Sequence, residues 1–589
     1  MRYRSVFRVL FLVLPLFCLG TATAEQPVRG VGLRHSAGQT FITWTEANPP
    51  QLGPDVSFNE ARKTRQTLRD KKIEYRIYRS TQPIASIEGL EPIATVGPLS
   101  GWNLDFYGDD RPAHKAFRYV IEDGKEPLPS DRGLCVFAPS TAGNAYYAVT
   151  LAVDGKEDRT LEKNTAGPIA ETVGAGVPVL QRIVRPKEFN YVANPTLHYF
   201  TRWESPPNAN RNTAAFDYLV AVPPHVTWPA PVGLHLHCWG GSLEGGYGWW
   251  YNAEKGSVLI ATNQIPYDWW TGYHEQYGRG PREKAAWQKG VVRPYTQRRL
   301  FAFLDWAATR WDLDRSRTFA AGSSMGGSGS PMLAIRYPDR VAWAVSWVGV
   351  HIPGQSPQFQ GSYAQVYGDP NWAVKFEDGT PVWDYYNDAW YLRRHPEKEI
   401  GLLVFSNGKN DGAIGWSQAA EFHRALQETH RPHVFVWGQA GHGQRATMPI
   451  SLEERVLPID VRIDQSLPAF SRCSLDDDPG DGDPARGDPK GQSNLYLFWD
   501  TETIVDRPDR WELTLGLIEK APRESCKVDI TPRRLQQFQA KPGEKLGWTL
   551  SGEPMQRGEI QADRLGLCTL PQVEVKKGRQ RLQMFRIPR

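Results

Sequence analysis

Polar and apolar positions alternate along the first part of the chain. Residues 39–44, 73–78 and 146–153 each place apolar side chains on one face of an extended segment, the period-two pattern of a half-buried strand. Turn residues separate them, and residues 54–72 form a polar insertion. Residues 25–175 therefore read as a β unit. From about Val177 the pattern changes to short, continuous apolar runs at 197–200, 217–222, 232–237 and 258–262. Residues 295–311 carry Leu300, Phe303, Leu304 and Ala307 at helical spacing. The apolar run 318–321 leads into a glycine turn and a helix over 326–337, and further runs follow at 341–348, 401–405 and 433–437. Such alternation predicts an α/β unit over 176–457, with a mostly parallel sheet covered on both faces.

Residues 351–400 break that alternation. Tyr363, Tyr367, Trp372, Trp383, Tyr385, Tyr386, Trp390 and Tyr391 lie there among prolines and charges, in the position of a cap inserted over a sheet edge. A second aromatic group, Trp249, Trp250, Tyr251, Trp269, Trp270 and Tyr273, falls in earlier loops. Flat aromatic faces suit stacking on a substrate ring, so Trp249, Trp250, Trp269 and Trp270 are expected to bind substrate. From residue 458 to 589 the signals are β again, best at 494–499 and 511–517.

At 589 residues the chain is too long for a single core. A net charge of +4 is small for that length and points away from a nucleic-acid partner. The first 24 residues read as a signal peptide: Arg2, Arg4 and Arg8, an apolar run over 9–19, and small residues at 21–24. The protein is expected to be secreted or periplasmic, with no membrane association after signal removal, since no later run is long and apolar enough to span a bilayer. Export permits disulfides, and one bridge is expected among Cys473, Cys526 and Cys568; Cys135 and Cys238 complete the mature set. The acidic stretch 476–483 lacks the order of a calcium loop and reads as a solvated loop. No metal site is expected.

The chemistry concentrates at Gly322-Ser323-Ser324-Met325-Gly326, which fits G-x-S-x-G. A strand before it and a helix after it make a nucleophile elbow, with Ser324 at the apex. A serine hydroxyl needs a base, and the base needs an orienting acid. Asp411 follows the run 401–405 in a glycine-bearing loop, and His442 follows the run 433–437 between two glycines. Ser324, Asp411 and His442 thus occur in order, each after its own strand. Asp384, Asp388 and Asn410 are the rivals of Asp411, and His423 and His430 are expected on the surface of a helix. The oxyanion donors are expected to be the N–H of Met325 and that of Cys238 or Trp239, in the loop His237-Cys238-Trp239-Gly240-Gly241-Ser242.

These pieces, with Gly408-Lys409-Asn410-Asp411 and Gly441-His442-Gly443, make residues 180–450 resemble an α/β-hydrolase. They are similar to the secreted esterase group that includes feruloyl, acetylxylan and polyhydroxybutyrate-type enzymes. Residues 25–175 resemble a fibronectin type III sandwich in pattern. The resemblance implies a secreted serine carboxylesterase acting through an acyl-enzyme, with no cofactor, on an ester that is carbohydrate- or polymer-linked. Prolyl-oligopeptidase-like peptidases share the motifs, and a binding protein built on an inactive hydrolase fold is the other alternative.

Overall fold

The computed structural model describes residues 27–107, 113–190, 192–245, 256–442 and 460–587. The expected signal peptide, Trp249, Trp250, Tyr251 and Gly443 lie outside them. At its centre is a ten-stranded sheet: β1 (Val179–Val184), β2 (Thr196–Glu204), β3 (Ala214–Val222), β4 (Ala230–Leu236), β5 (Val258–Thr262), β6 (Leu313–Ser323), β7 (Trp343–Trp347), β8 (Leu402–Gly408), β9 (His433–Gly438) and β10 (Gly491–Ser493). Their spatial order is β1-β2-β3-β5-β4-β6-β7-β8-β9-β10. Strands β4 to β9 run parallel, while β3 pairs antiparallel with β2 and β5, and β10 antiparallel with β9. The mostly parallel sheet expected over 176–457 is therefore present, and it extends past that boundary through β10.

Period two decides what each side chain meets. Tyr218, Val220, Leu234, Ile260 and Ala320 point to one face. That face carries the helices Tyr295–Ala307, Met325–Arg336 and Trp416–Glu428, together with the aromatic cap. Strands buried on both sides read as unbroken apolar runs. The opposite face is where the molecule departs from a doubly wound sheet, because two mainly β units cover it, the N-terminal one through a single helix.

On the β2-β3-β5 side, Leu197, Tyr199, Leu219, Ala221, Leu259 and Ala261 share a core with Phe58, Ala61, Trp102, Leu104 and Phe106 of the N-terminal unit. On the β6-to-β9 side, Phe319, Trp343, Val345, Val404 and Val436 pack against Val461, Leu467 and Leu495 of the C-terminal unit.

The N-terminal unit is a three-stranded and a five-stranded sheet sharing Ile42, Trp44, Tyr75, Ile77, Tyr147 and Val149. Its polar insertion forms helix α1 (Phe58–Asp70), started by a reciprocal Ser57–Glu60 capping box. Only Phe58 and Ala61 of α1 are buried, so its sequence looks surface-like although its apolar stripe closes the central core. The C-terminal unit has its own core around Trp511, Val528, Phe538, Leu582 and Met584.

Three expectations need correction. His423 is buried rather than exposed, its ring against His433 and Phe435. Burial lowers the pKa of His423 well below its ordinary value. None of the five described cysteines forms a disulfide, although Cys473 and Cys526 share one core. Asp476 is not part of a solvated loop: its carboxylate accepts from the Asn494 N–H and the Ser493 hydroxyl, each at 2.8 Å. No helix among the described residues is long and apolar enough to cross a membrane.

Candidate active site

Strand β6 ends at Ser323 and helix α2 (Met325–Arg336) begins two residues later, so Ser324 alone makes the turn. Its backbone sits at φ 55°, ψ −117°, a region that costs a side-chain-bearing residue about 1–3 kcal/mol. The surroundings hold it there. The Ser324 N–H donates to Trp347 O at 2.8 Å, and its carbonyl accepts from the Ser328 N–H and hydroxyl at 2.9 and 3.0 Å. A Cβ on Gly326 would run into the Leu236 carbonyl oxygen, and one on Gly322 would lie 2.5 Å from that same atom. The two motif glycines are what let the turn nest against the end of β4.

Ser324 Oγ lies 2.9 Å from His442 Nε2, and His442 Nδ1 lies 2.9 Å from Asp411 Oδ2. Asp411 Oδ1 accepts from the N–H groups of Ala413 and Ile414, both at 3.0 Å. One carboxylate oxygen is thus pinned by backbone while the other faces the imidazole. With Nδ1 donating to a carboxylate, Nε2 presents its lone pair to the serine hydroxyl. Ser324 and Asp411 are buried, whereas the His442 side chain keeps a third of its surface exposed, so the site opens on the histidine side. Two of the three rivals, Asn410 and Asp388, are engaged elsewhere. Asn410 binds Gln439 O and Oε1. Asp388 is buried against Arg336, with its pKa raised to about 6 by burial.

Leu236 pairs with Gly322 in the parallel β4–β6 ladder, so the loop after β4 leaves the sheet level with the serine turn. Gly241 N–H closes a turn on Cys238 O at 3.0 Å. The His237 side chain is structural: its Nδ1 meets Cys238 O at 2.8 Å and its Nε2 accepts from the Gln264 N–H at 3.0 Å. Burial pushes His237 down to about 4, which keeps it neutral and holds this tautomer. Opposite the loop, Met325 is the first residue of α2, where backbone N–H groups have no partner within the helix and the dipole favours negative charge.

The tryptophans expected to stack on substrate do not line the opening. Trp269 and Trp270 are 0% and 1% exposed. Trp269 stacks on Tyr363 at 4.4 Å and donates to Ser362 Oγ, and Trp270 donates to His237 O. The two aromatic groups of the sequence pack on each other, seating the cap on the sheet. The rings that lie near the site are others: Trp239 of the loop after β4, with Tyr267, and Phe359, which no motif singled out. Trp239 is 45% exposed with its ring 4.7 Å from Tyr267, and Phe359 lies 6.1 Å from the His442 ring.

No protein-family model matches the chain, and no curated protein matches it. Solved structures similar to it include an S-formylglutathione hydrolase from Agrobacterium tumefaciens, 16% identical, spanning 44% of this chain and 92% of that one with a TM-score of 0.30. An acetyl xylan esterase from Aspergillus awamori is 14% identical over 42% of this chain and 94% of that one, TM-score 0.26. An acylaminoacyl peptidase from Pyrococcus horikoshii is 14% identical over 53% and 47%, TM-score 0.29.

Proposed function

We propose that this protein is an exported serine hydrolase that cleaves carboxylic esters, with Ser324 as nucleophile, His442 as base and Asp411 as orienting acid. The observation that carries the reading is the unbroken Ser324–His442–Asp411 relay, two contacts of 2.9 Å begun from a strained elbow residue. Strain of this kind persists only where the surroundings enforce it, and it clusters at sites of function.

In the proposed reaction His442 Nε2 takes the hydroxyl proton as Ser324 Oγ attacks the ester carbonyl carbon. The carbonyl electron pair moves to oxygen, where the N–H of Met325 and that of Cys238 or Trp239 receive it; one such donor is worth about 10²–10³ in rate. Collapse breaks the ester C–O bond, and the leaving alkoxide takes the proton back from His442. Water then attacks the acyl-enzyme, giving its proton to Nε2. The second tetrahedral intermediate releases the carboxylic acid and restores the serine hydroxyl. Asp411 holds the imidazole throughout and offsets its positive charge. The exposed face of Trp239, with Tyr267 and Phe359, supplies apolar surface for the acyl or alcohol part of a bulky or polymer-linked ester.

Ser324→Ala should lose at least about 10⁴-fold in turnover of a short nitrophenyl ester while its melting temperature stays near that of the parent. Turnover at the parent's rate would sink the assignment. A matched peptide amide assayed in parallel separates an esterase from a peptidase using the same three residues.

A further inference from the structure

A cavity of about 450 Å³ opens between the N-terminal unit and the edge of the central sheet, within the size range of small-ligand sites. It shares no residue with the Ser324 site. Both of its walls are fixed. On one side, a two-stranded ladder pairs Trp102 with Arg118 and Asn103 with Phe117. On the other, Gln181 of β1 exchanges two 2.9 Å hydrogen bonds with the Val120 backbone and so ties the unit to the sheet edge. Trp102, Phe106 and Phe117 form an aromatic wall that belongs to the shared core and shows the cavity only its ring edges, most of all at the half-buried Phe117. Lys115, Arg118 and Arg182 supply positive charge, and no carboxylate among the described residues lines the cavity.

Two of those cations are engaged. Lys115 pairs with Asp55 at 2.9 Å, while Arg182 stacks 4.0 Å from the Phe117 ring and lies 3.6 Å from Glu244. Arg118 has no acidic partner among the described residues, and its guanidinium lies over the Trp102 ring at 5.8 Å. A planar guanidinium beside an indole face recognises a carboxylate carried on a flat ring, which the ring and the fork bind together.

We infer that this cavity binds a small cyclic carboxylate, an aryl acid or a sugar acid, with its carboxylate on Arg118 and its ring edge-on against the aromatic wall of Trp102 and Phe117. Titration calorimetry on the full chain tests this with 2-naphthoate and with glucuronate; whichever binds more tightly identifies the source of the ring. The expected result is one site per chain, of equal affinity in the parent and in Ser324→Ala. Affinity should fall about tenfold or more in Arg118→Gln, and by a similar factor when 2-naphthamide replaces the acid on the parent protein. Binding of neither acid, binding indifferent to Arg118→Gln, equal binding of the amide, or loss of binding in Ser324→Ala would each overturn it. The amide comparison needs no variant, so it decides even if Arg118→Gln folds poorly.

Discussion

Tyr107 donates its hydroxyl to Glu244 Oε1 at 3.2 Å, and through that bond the N-terminal unit grips the loop that carries Cys238 and Trp239. Tyr199 of β2 donates to the same oxygen at 2.8 Å. The neighbouring Leu243 is fully buried in the core shared with Phe58 and Trp102. Burial, with Glu244 beside it, pushes the Tyr107 hydroxyl up to about 12, so it remains a donor at any working pH. Tyr107 is a positioning residue in the proposed reaction. Tyr107→Phe removes one hydrogen bond worth about 0.5–1.5 kcal/mol. It should lower kcat by about two- to tenfold with KM nearly unchanged, and weaken a trifluoromethyl ketone inhibitor by the same factor. An effect on KM alone would show that the bond serves substrate binding instead.

The strain at Ser324 has a separate signature. Glycine adopts φ 55°, ψ −117° far more readily than alanine, so two equally inactive variants should differ in stability. Ser324→Gly should unfold at a higher temperature than Ser324→Ala, by the equivalent of about 1 kcal/mol. Equal melting temperatures would mean that the elbow stores no such energy.

Gly326 fails for a different reason, contact with the Leu236 carbonyl. Backbone on both sides leaves nothing flexible to yield, so Gly326→Ala should cost about 2–4 kcal/mol and abolish ester turnover. A fully active, equally stable variant would show that β4 and the serine turn can separate.

Glu46 gives a pH-dependent test. Burial pushes its carboxyl from an ordinary 4.5 to about 7, and Oε1 has no hydrogen-bond partner among the described residues. A group whose folded pKa is raised holds its proton more tightly in the folded chain. Its stabilising contribution is therefore complete below pH 4.5 and disappears as pH climbs through 7. Glu46→Gln, uncharged throughout, should melt with the parent at pH 4.5 and above it at pH 8, by up to about 3 kcal/mol. Thermal unfolding at the two pH values reads this directly.

Strands β2 to β9 of the central sheet were legible in the sequence because they are largely buried and contain continuous apolar runs, whereas the half-exposed edge β1 and the short polar β10 carried no such signal. Ser324, Asp411 and His442 were legible because each sits in a short loop just past its own strand. What stayed hidden is what depends on distant packing. Phe359 belongs to no motif and reaches His442 only through the fold of the cap. Trp269 and Trp270 stand in polar, glycine-rich company, yet Trp269 is covered by Tyr363 and Ser362, about ninety residues away, and Trp270 packs on His237. Helix α1 carries too few apolar residues to announce that it closes a core, and Glu244 is one acidic residue among many until Tyr107 and Tyr199 meet it.

Strand β10 and the residues that cover Phe319, Trp343 and Trp347 all come from beyond residue 460. A polypeptide ending shortly after His442 would therefore keep all three residues of the relay. It would also leave an apolar sheet face and an unpaired β9 edge open to other chains. As synthesis proceeds from the N-terminus, that same surface stays bare until the last part of the chain arrives. Truncations near residue 450 should accordingly aggregate rather than behave as minimal enzymes, and the last part of the chain to be made decides whether the serine ever has a usable home.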